Sequence, residues 1–152
     1  MADSPTNVTD HQMPEPSHVY DAQFVTPVDG DSFYVRLDTK LDRNTGSEMI
    51  VELRLLGLNC PEVHGAARDA GLRAAAFTTL FLQGSAPSKE VWPLVVQTFG
   101  REKYGRTLAR VWRKSDGGCL NDQLLSSGNA VPYMVLQQLR EAHLPLSPST
   151  PT

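Results

Sequence analysis

Two runs with a two-residue period, one strictly alternating and one with a mixed second face, constrain this chain more than any other feature. In SFYVRLD, Phe33, Val35 and Leu37 stand against Tyr34, Arg36 and Asp38. In EMIVELRLLG, Met49, Val51, Leu53 and Leu55 stand against Ile50, Glu52, Arg54 and Leu56. A period of two puts successive side chains on opposite faces of an extended backbone, so each run reads as a half-buried β-strand. The intervening TKLDRNTGS is rich in turn formers, and the pair is expected to form a hairpin. VWPLVVQTF and RTLARVWR read as two further strands. Pro93 in the first of these predicts an edge strand or a bulge, because proline cannot donate to a ladder.

Helical periodicity is confined to two places. Between about Ala67 and Leu82, Leu72, Ala75, Ala76, Thr79 and Leu80 recur at helical spacing, which predicts an amphipathic helix with that stripe inward, ended by Gly84. NDQLLSSG predicts a short helix with Asn121 as N-cap and Gly128 just past its end. No internal repeat is present. Several short strands with one main helix predict an α+β domain, mainly β, with a five-stranded OB-fold barrel as the leading architecture.

A chain of 152 residues has room for one such domain. Residues 1–21 form a polar, proline-containing leader expected to be disordered, 22–139 the folded domain, and 140–152 a flexible Pro/Ser-rich tail. The leader has neither the basic start nor the apolar stretch of a secretory signal, and no apolar run approaches the roughly 20 residues that span a bilayer. Cys60 and Cys119 belong to no C-x-x-C pair and sit near no histidine cluster, which argues against a disulfide framework and a zinc site. The expectation is a monomer with reduced thiols in the cytoplasm, without a membrane partner. His11 and His18 fall in the leader and His143 near the tail, while His64 reads as an exposed loop imidazole.

Charge is unevenly divided. Asp3, Asp10, Glu15 and Asp21 lie in a leader without Lys or Arg; setting them aside turns a balance of 14 basic and 17 acidic residues into 14 against 13. In REKYGRTLARVWRK, Arg101, Lys103, Arg106, Arg110, Arg113 and Lys114 face only Glu102. Such a strip suits a polyanionic partner, and equally suits a solvated strand face.

Three groups carry candidate chemistry. Asp29 and Asp31 flank Gly30 in VDGDS, a pattern common in hairpin turns that also offers two carboxylates to a hard cation such as Ca²⁺. Arg54 shares a strand face with Glu52, which alone would be a surface ion pair worth under about 1 kcal/mol, but Ile50 and Leu56 make that face partly apolar, as in the wall of a cleft. Pro61 keeps Asn59, Cys60 and Glu62 out of helix and leaves Glu62 as a loop carboxylate at a strand end.

Together, VDGDS, LRLLGLNCPE, EKYGR and LNDQLLSSGNA, with AAAFTTLFL as a first helix, resemble the staphylococcal nuclease (thermonuclease-like) family in order and spacing, over roughly residues 22–135. The resemblance implies an OB-fold barrel and Ca²⁺-dependent endonucleolytic hydrolysis of DNA and RNA with little sequence specificity. It implies one Ca²⁺, with Mg²⁺ or Mn²⁺ as substitutes, held by Asp31 directly, by residue 59 and by the backbone carbonyl of Cys60, with Asp29 in support. It implies Arg54 and Arg106 as phosphate clamps and Glu62 as the group that orients or deprotonates the attacking water. Lys103 and Tyr104 would contact a second phosphate, and Tyr133 would stack on a base.

Two departures from the family pattern stand out. Asn59 replaces the usual aspartate, removing a ligand charge and predicting weaker calcium binding. The family's last long helix is reduced to a stub, LQQLREAHL. Loss of cleavage would leave a nucleic-acid-binding module, and a protein-interaction barrel would require the basic strip to be incidental. Asp31, Arg54, Glu62 and Arg106 argue for catalysis; Asn59 argues mildly for binding alone.

Overall fold

Alternation becomes pairing, as expected. The computed structural model describes residues 18–39, 48–84, 91–133, 135 and 138. Strand β1 (His18–Asp29) pairs antiparallel with β2 (Ser32–Asp38), and β2 with β3 (Glu48–Leu55), in the predicted hairpin. β5 (Leu94–Arg101) and β6 (Thr107–Arg113) form a second antiparallel pair. β5 joins β1, and β6 runs parallel to β3 over Leu53–Leu55 and Thr107–Ala109, closing a five-stranded barrel of order β1-β2-β3-β6-β5. A short pair outside the barrel joins β4 (Leu58–Asn59) to β7 (Val131–Pro132). The fold is thus α+β, mainly β, of the OB type.

The inward positions follow the two-residue period. Phe33, Val35, Leu37, Leu53 and Leu55 are buried with Leu94, Val96, Ala109 and Val111 from the second pair. Helix α1 (Arg68–Gln83) adds Phe81 and Leu82, and helix α2 (Leu120–Ser126) adds Leu120 and Leu124. Burying a side chain such as Leu53 or Leu94 contributes about 1.5–3 kcal/mol, so this shared interior is what holds the barrel closed.

Several sequence expectations need correction. Strand β1 begins at His18, so four residues assigned to the leader are paired in the barrel. Pro93 marks neither an edge nor a bulge; it stands just before β5, where its missing N–H costs no ladder bond, and its carbonyl accepts from Lys114 N–H at 2.9 Å. Asn121 is not an N-cap. Cys119 occupies that position, and the Asn121 side chain is buried, accepting from Val111 N–H at 3.1 Å and donating to Leu56 and Ala109 carbonyls at 3.0 and 3.1 Å.

The stripe of α1 is also displaced. Its buried residues are Gly71, Ala74, Thr78, Phe81 and Leu82, while Leu72 and Leu80 are 42% and 70% exposed. The reason is proximity. A Cβ on Gly30 would lie 2.9 Å from Ala74 Cβ, and Thr78 Oγ1 donates to the Gly30 carbonyl at 2.6 Å. Larger side chains on that face would hold the helix off the β1–β2 turn.

The connection 40–47, most of the leader and the tail lie outside the described residues, as do His11 and His143; of LQQLREAHL only Gln138 is described. Among the described residues no helix is long and apolar enough to cross a membrane.

Candidate functional site

At one end of the barrel the β1–β2 turn, the end of β3 and the loop after β4 meet. The register that places Ser32 opposite Arg54 also brings Asp31 beside the arginine. The Asp31 carbonyl accepts from Leu55 N–H at 2.8 Å, which ties the turn to β3. Its carboxylate Oδ2 accepts from Cys60 N–H at 2.8 Å and lies 3.3 Å from Arg54 Nη1. Arg54 Nη1 also donates to the Leu55 carbonyl at 3.1 Å, and Nη2 donates to Asn59 Oδ1. Arg54 is only 9% exposed, so this charge depends on its fixed acceptors rather than on water.

These groups line a cleft of ≈ 360 Å³ together with Asp29, Pro61, Glu62, His64 and Arg106. Glu62 and His64 are exposed there. Burial, then the neighbouring Asp31 and Glu62 carboxylates, raise the Asp29 pKa above its ordinary value, against a smaller pull from His64 and Arg106. Burial and the Asp31 charge push the Cys60 thiol up to about 12. A soft metal would have to displace the proton of this buried thiol, so its binding through Cys60 would be costlier than at an exposed cysteine.

A second cleft of ≈ 240 Å³ shares Arg54, Asn59 and Arg106 with the first and adds Lys103, Tyr104 and Tyr133. Tyr104 is 73% exposed, with Lys103 Nζ 5.3 Å and Arg106 Cζ 5.9 Å from its ring centre. Tyr133 is positioned by its N–H, which donates to the Gly57 carbonyl at 2.9 Å. All ten residues singled out from the sequence therefore line one or both of two adjoining clefts.

Two residues that the sequence reading passed over belong to the same region. Glu102 is 9% exposed and accepts from Tyr104 N–H, Arg106 N–H and Arg106 Nη2 at 2.9, 3.0 and 3.0 Å. Burial alone would raise its pKa; the side-chain and backbone hydrogen bonds from Arg106 outweigh it and hold the carboxyl below its ordinary value. At Arg106 burial pulls the pKa down, but the hydrogen bond and charge of Glu102, joined by the charges of Glu52 and Asp31, together outweigh it and raise that guanidinium's pKa, while its Nε is buried without a partner. Gln138 is 2% exposed and bridges the end of β3, accepting from Gly57 N–H and donating to the Leu55 carbonyl at 3.3 Å. In sequence, Glu102 reads only as the lone counter-charge of a basic run, and Gln138 carries no signal.

The basic strip is largely self-compensated. Arg106 pairs with Glu102, Arg110 with Asp122, Arg113 with Asp116 and Lys114 with Asp21, at 3.0, 3.2, 2.6 and 3.1 Å.

Among the described residues, no three His, Cys, Asp or Glu side chains are grouped so as to hold a metal ion. Asp31 and Asn59 nevertheless line the cleft with hard oxygens, and the Asp29 and Glu62 carboxylates line it beside them. This donor set fits a hard cation whose remaining ligands are backbone, water or substrate oxygens. In the structure Arg54 occupies both the Asp31 and the Asn59 oxygens.

A family model described as staphylococcal nuclease homologue matches residues 52–146. The matched span begins within β3 and leaves the Asp29–Asp31 turn outside it. No curated protein matches the chain.

Proposed function

The chain belongs to the staphylococcal nuclease homologue family, and from that premise we propose that this nuclease-like domain is a Ca²⁺-dependent phosphodiesterase that cleaves DNA and RNA internally with little regard for sequence. The observation that carries the reading is the junction of the two clefts. Arg54 and Arg106 line both, with the carboxylates of Asp29, Asp31 and Glu62 on one side and Lys103, Tyr104 and Tyr133 on the other. A phosphodiester lying across the junction would have its nucleotide over the tyrosines and its scissile phosphate between the guanidiniums.

Hydrolysis of a phosphodiester requires an in-line nucleophile and compensation for charge growing on the phosphoryl oxygens. Arg54 and Arg106 supply planar, permanently charged donors suited to two phosphate oxygens at once. Glu62, exposed in the cleft, is the group to hold the attacking water in line or to take its proton. Asp31, the Asn59 amide oxygen and the Cys60 carbonyl would hold Ca²⁺, with Asp29 in support. The ion would act there as Lewis acid and template. Because Arg54 rests on Asp31 and Asn59, its transfer to a substrate phosphate would release those oxygens.

The same pairing favours a second reading. With Arg54 held by Asp31 and Asn59, Arg106 by Glu102, and an amide in place of a carboxylate, the domain would bind nucleic acid without cutting it. Supercoiled plasmid separates the two. Nicking in Ca²⁺, stopped by EGTA and lost in Glu62→Gln, is the expected result; inactivity in Ca²⁺, Mg²⁺ and Mn²⁺ alike would replace the nuclease by the binding module.

A further inference from the structure

Helix α1 touches both halves of the carboxylate cleft, and it does so through atoms too close to be incidental. A Cβ on Gly71 would lie 2.0 Å from the Glu62 carbonyl oxygen and 2.4 Å from its carbonyl carbon. Real side-chain carbons do not approach that closely, so the Glu62 backbone rests directly on the bare face of the helix. Two turns further on, the buried Thr78 hydroxyl donates to the Gly30 carbonyl at 2.6 Å, between Asp29 and Asp31. Ala74 lies between these points and is itself packed against Gly30. A helix is the most rigid connector available here, rising about 1.5 Å per residue, so the steps from Gly71 to Thr78 set a span of roughly 10 Å.

We propose that α1 is a spacer fixing the distance between the Glu62 loop and the Asp29–Asp31 turn, with Gly71 and Thr78 as positioning residues. Neither residue lines the clefts described above. Neither belongs to the motifs that hold phosphate. The inference rests on the nuclease reading for its consequence in catalysis, but its geometric content stands without it. An alanine at 71 requires the Glu62 backbone to retreat by more than about 1 Å, and a displacement of that size at a catalytic group costs about 10²-fold in rate. Arg54 is carried by the barrel, Arg106 and Tyr104 by the 102–106 turn, and Tyr133 by the chain just past the β4–β7 pair, so substrate affinity stays.

The test is Gly71→Ala, assayed on a short labelled oligonucleotide below the variant's unfolding temperature, with its crystal structure determined in parallel. The expected result is kcat lower by about 10²-fold with KM within about 2-fold, no further loss when Gly71→Ala is added to Glu62→Gln, and a displaced Glu62 backbone. A folded variant with unchanged kcat, or one that loses only KM, overturns the proposal. So does an unmoved Glu62, whether or not the protein cleaves. If the wild-type protein fails to cut in every metal, the proposed activity falls, and the crystal structure alone decides the spacer. Should Gly71→Ala not fold, Thr78→Val and Thr78→Ser take its place. Loss of kcat in Val and its restoration in Ser, with the Gly30 turn shifted only in Val, supports the role; equal kcat in both, or an unmoved turn in Val, overturns it.

Discussion

Three properties of the Arg54 side chain set the character of this site. It is nearly buried, it bridges Asp31 and Asn59, and it carries the charge a phosphate would seek. Asn59→Asp would add a ligand charge to the proposed cation site, and we expect Ca²⁺ to bind about tenfold tighter by calorimetry, a gain of roughly 1.4 kcal/mol. The new carboxylate would also hold Arg54 harder; an unchanged affinity would mean that the guanidinium keeps the oxygen or that residue 59 is no ligand. Glu102 makes the complementary case. Its pKa lies below the ordinary 4.5, so its contribution to stability is complete above that pH and fades as pH falls through the folded-state value. Glu102→Gln should therefore lower the unfolding free energy by about 1–3 kcal/mol in urea at pH 7, with the difference from wild type shrinking at pH 3. A pH-independent difference would show that the carboxylate's charge is not what organises the turn. Arg54, Glu62 and Arg106 could be singled out in the sequence because they stand in motifs shared with a known family, and the fold brings all three to the same cleft. Glu102 stands in one of those motifs too, but a glutamate among basic residues reads as a counter-charge, and only the folded turn shows it accepting from Tyr104 and Arg106.

Elements tell a different story from residues. The strand runs were readable because a barrel wall has one buried face and the period of two has only two phases, so Phe33, Val35 and Leu37 had one place to go. Helix α1 offers two apolar stripes side by side, that of Leu72 and Leu80 and the run Gly71, Ala74, Thr78, Phe81 and Leu82, and their spacing does not choose between them. The small residues of the second run permit the close approach to Glu62 and Gly30, and that face turns inward with Phe81 and Leu82. Leu80→Lys should consequently leave stability within about 0.5 kcal/mol of wild type. Phe81→Ala, one position on, should cost about 3–5 kcal/mol in the same urea titration. Comparable losses at both positions would put the helix in the orientation that its sequence suggests. Asn121 was misread for a related reason. An asparagine at a helix start usually serves its own helix, whereas this one joins β6 to the chain just past β3.

On the scale of the whole molecule, the closed barrel and its helices could be anticipated from the number and spacing of short strands. The basic strip could not be judged that way, because its partners Asp21, Asp116 and Asp122 lie elsewhere on the surface or in neighbouring turns. The barrel's weakest join has a consequence of its own. β3 and β6 meet at only three register positions, Leu53–Leu55 against Thr107–Ala109; Arg54 lies within that seam and Arg106 directly precedes it. Breathing at this junction would part the two guanidiniums while the remaining four strand pairings persist. Warming should thus make the protein release an oligonucleotide several degrees before calorimetry records the loss of the fold, so that grip, rather than shape, marks its upper working temperature; coincident transitions would mean the seam opens only with everything else.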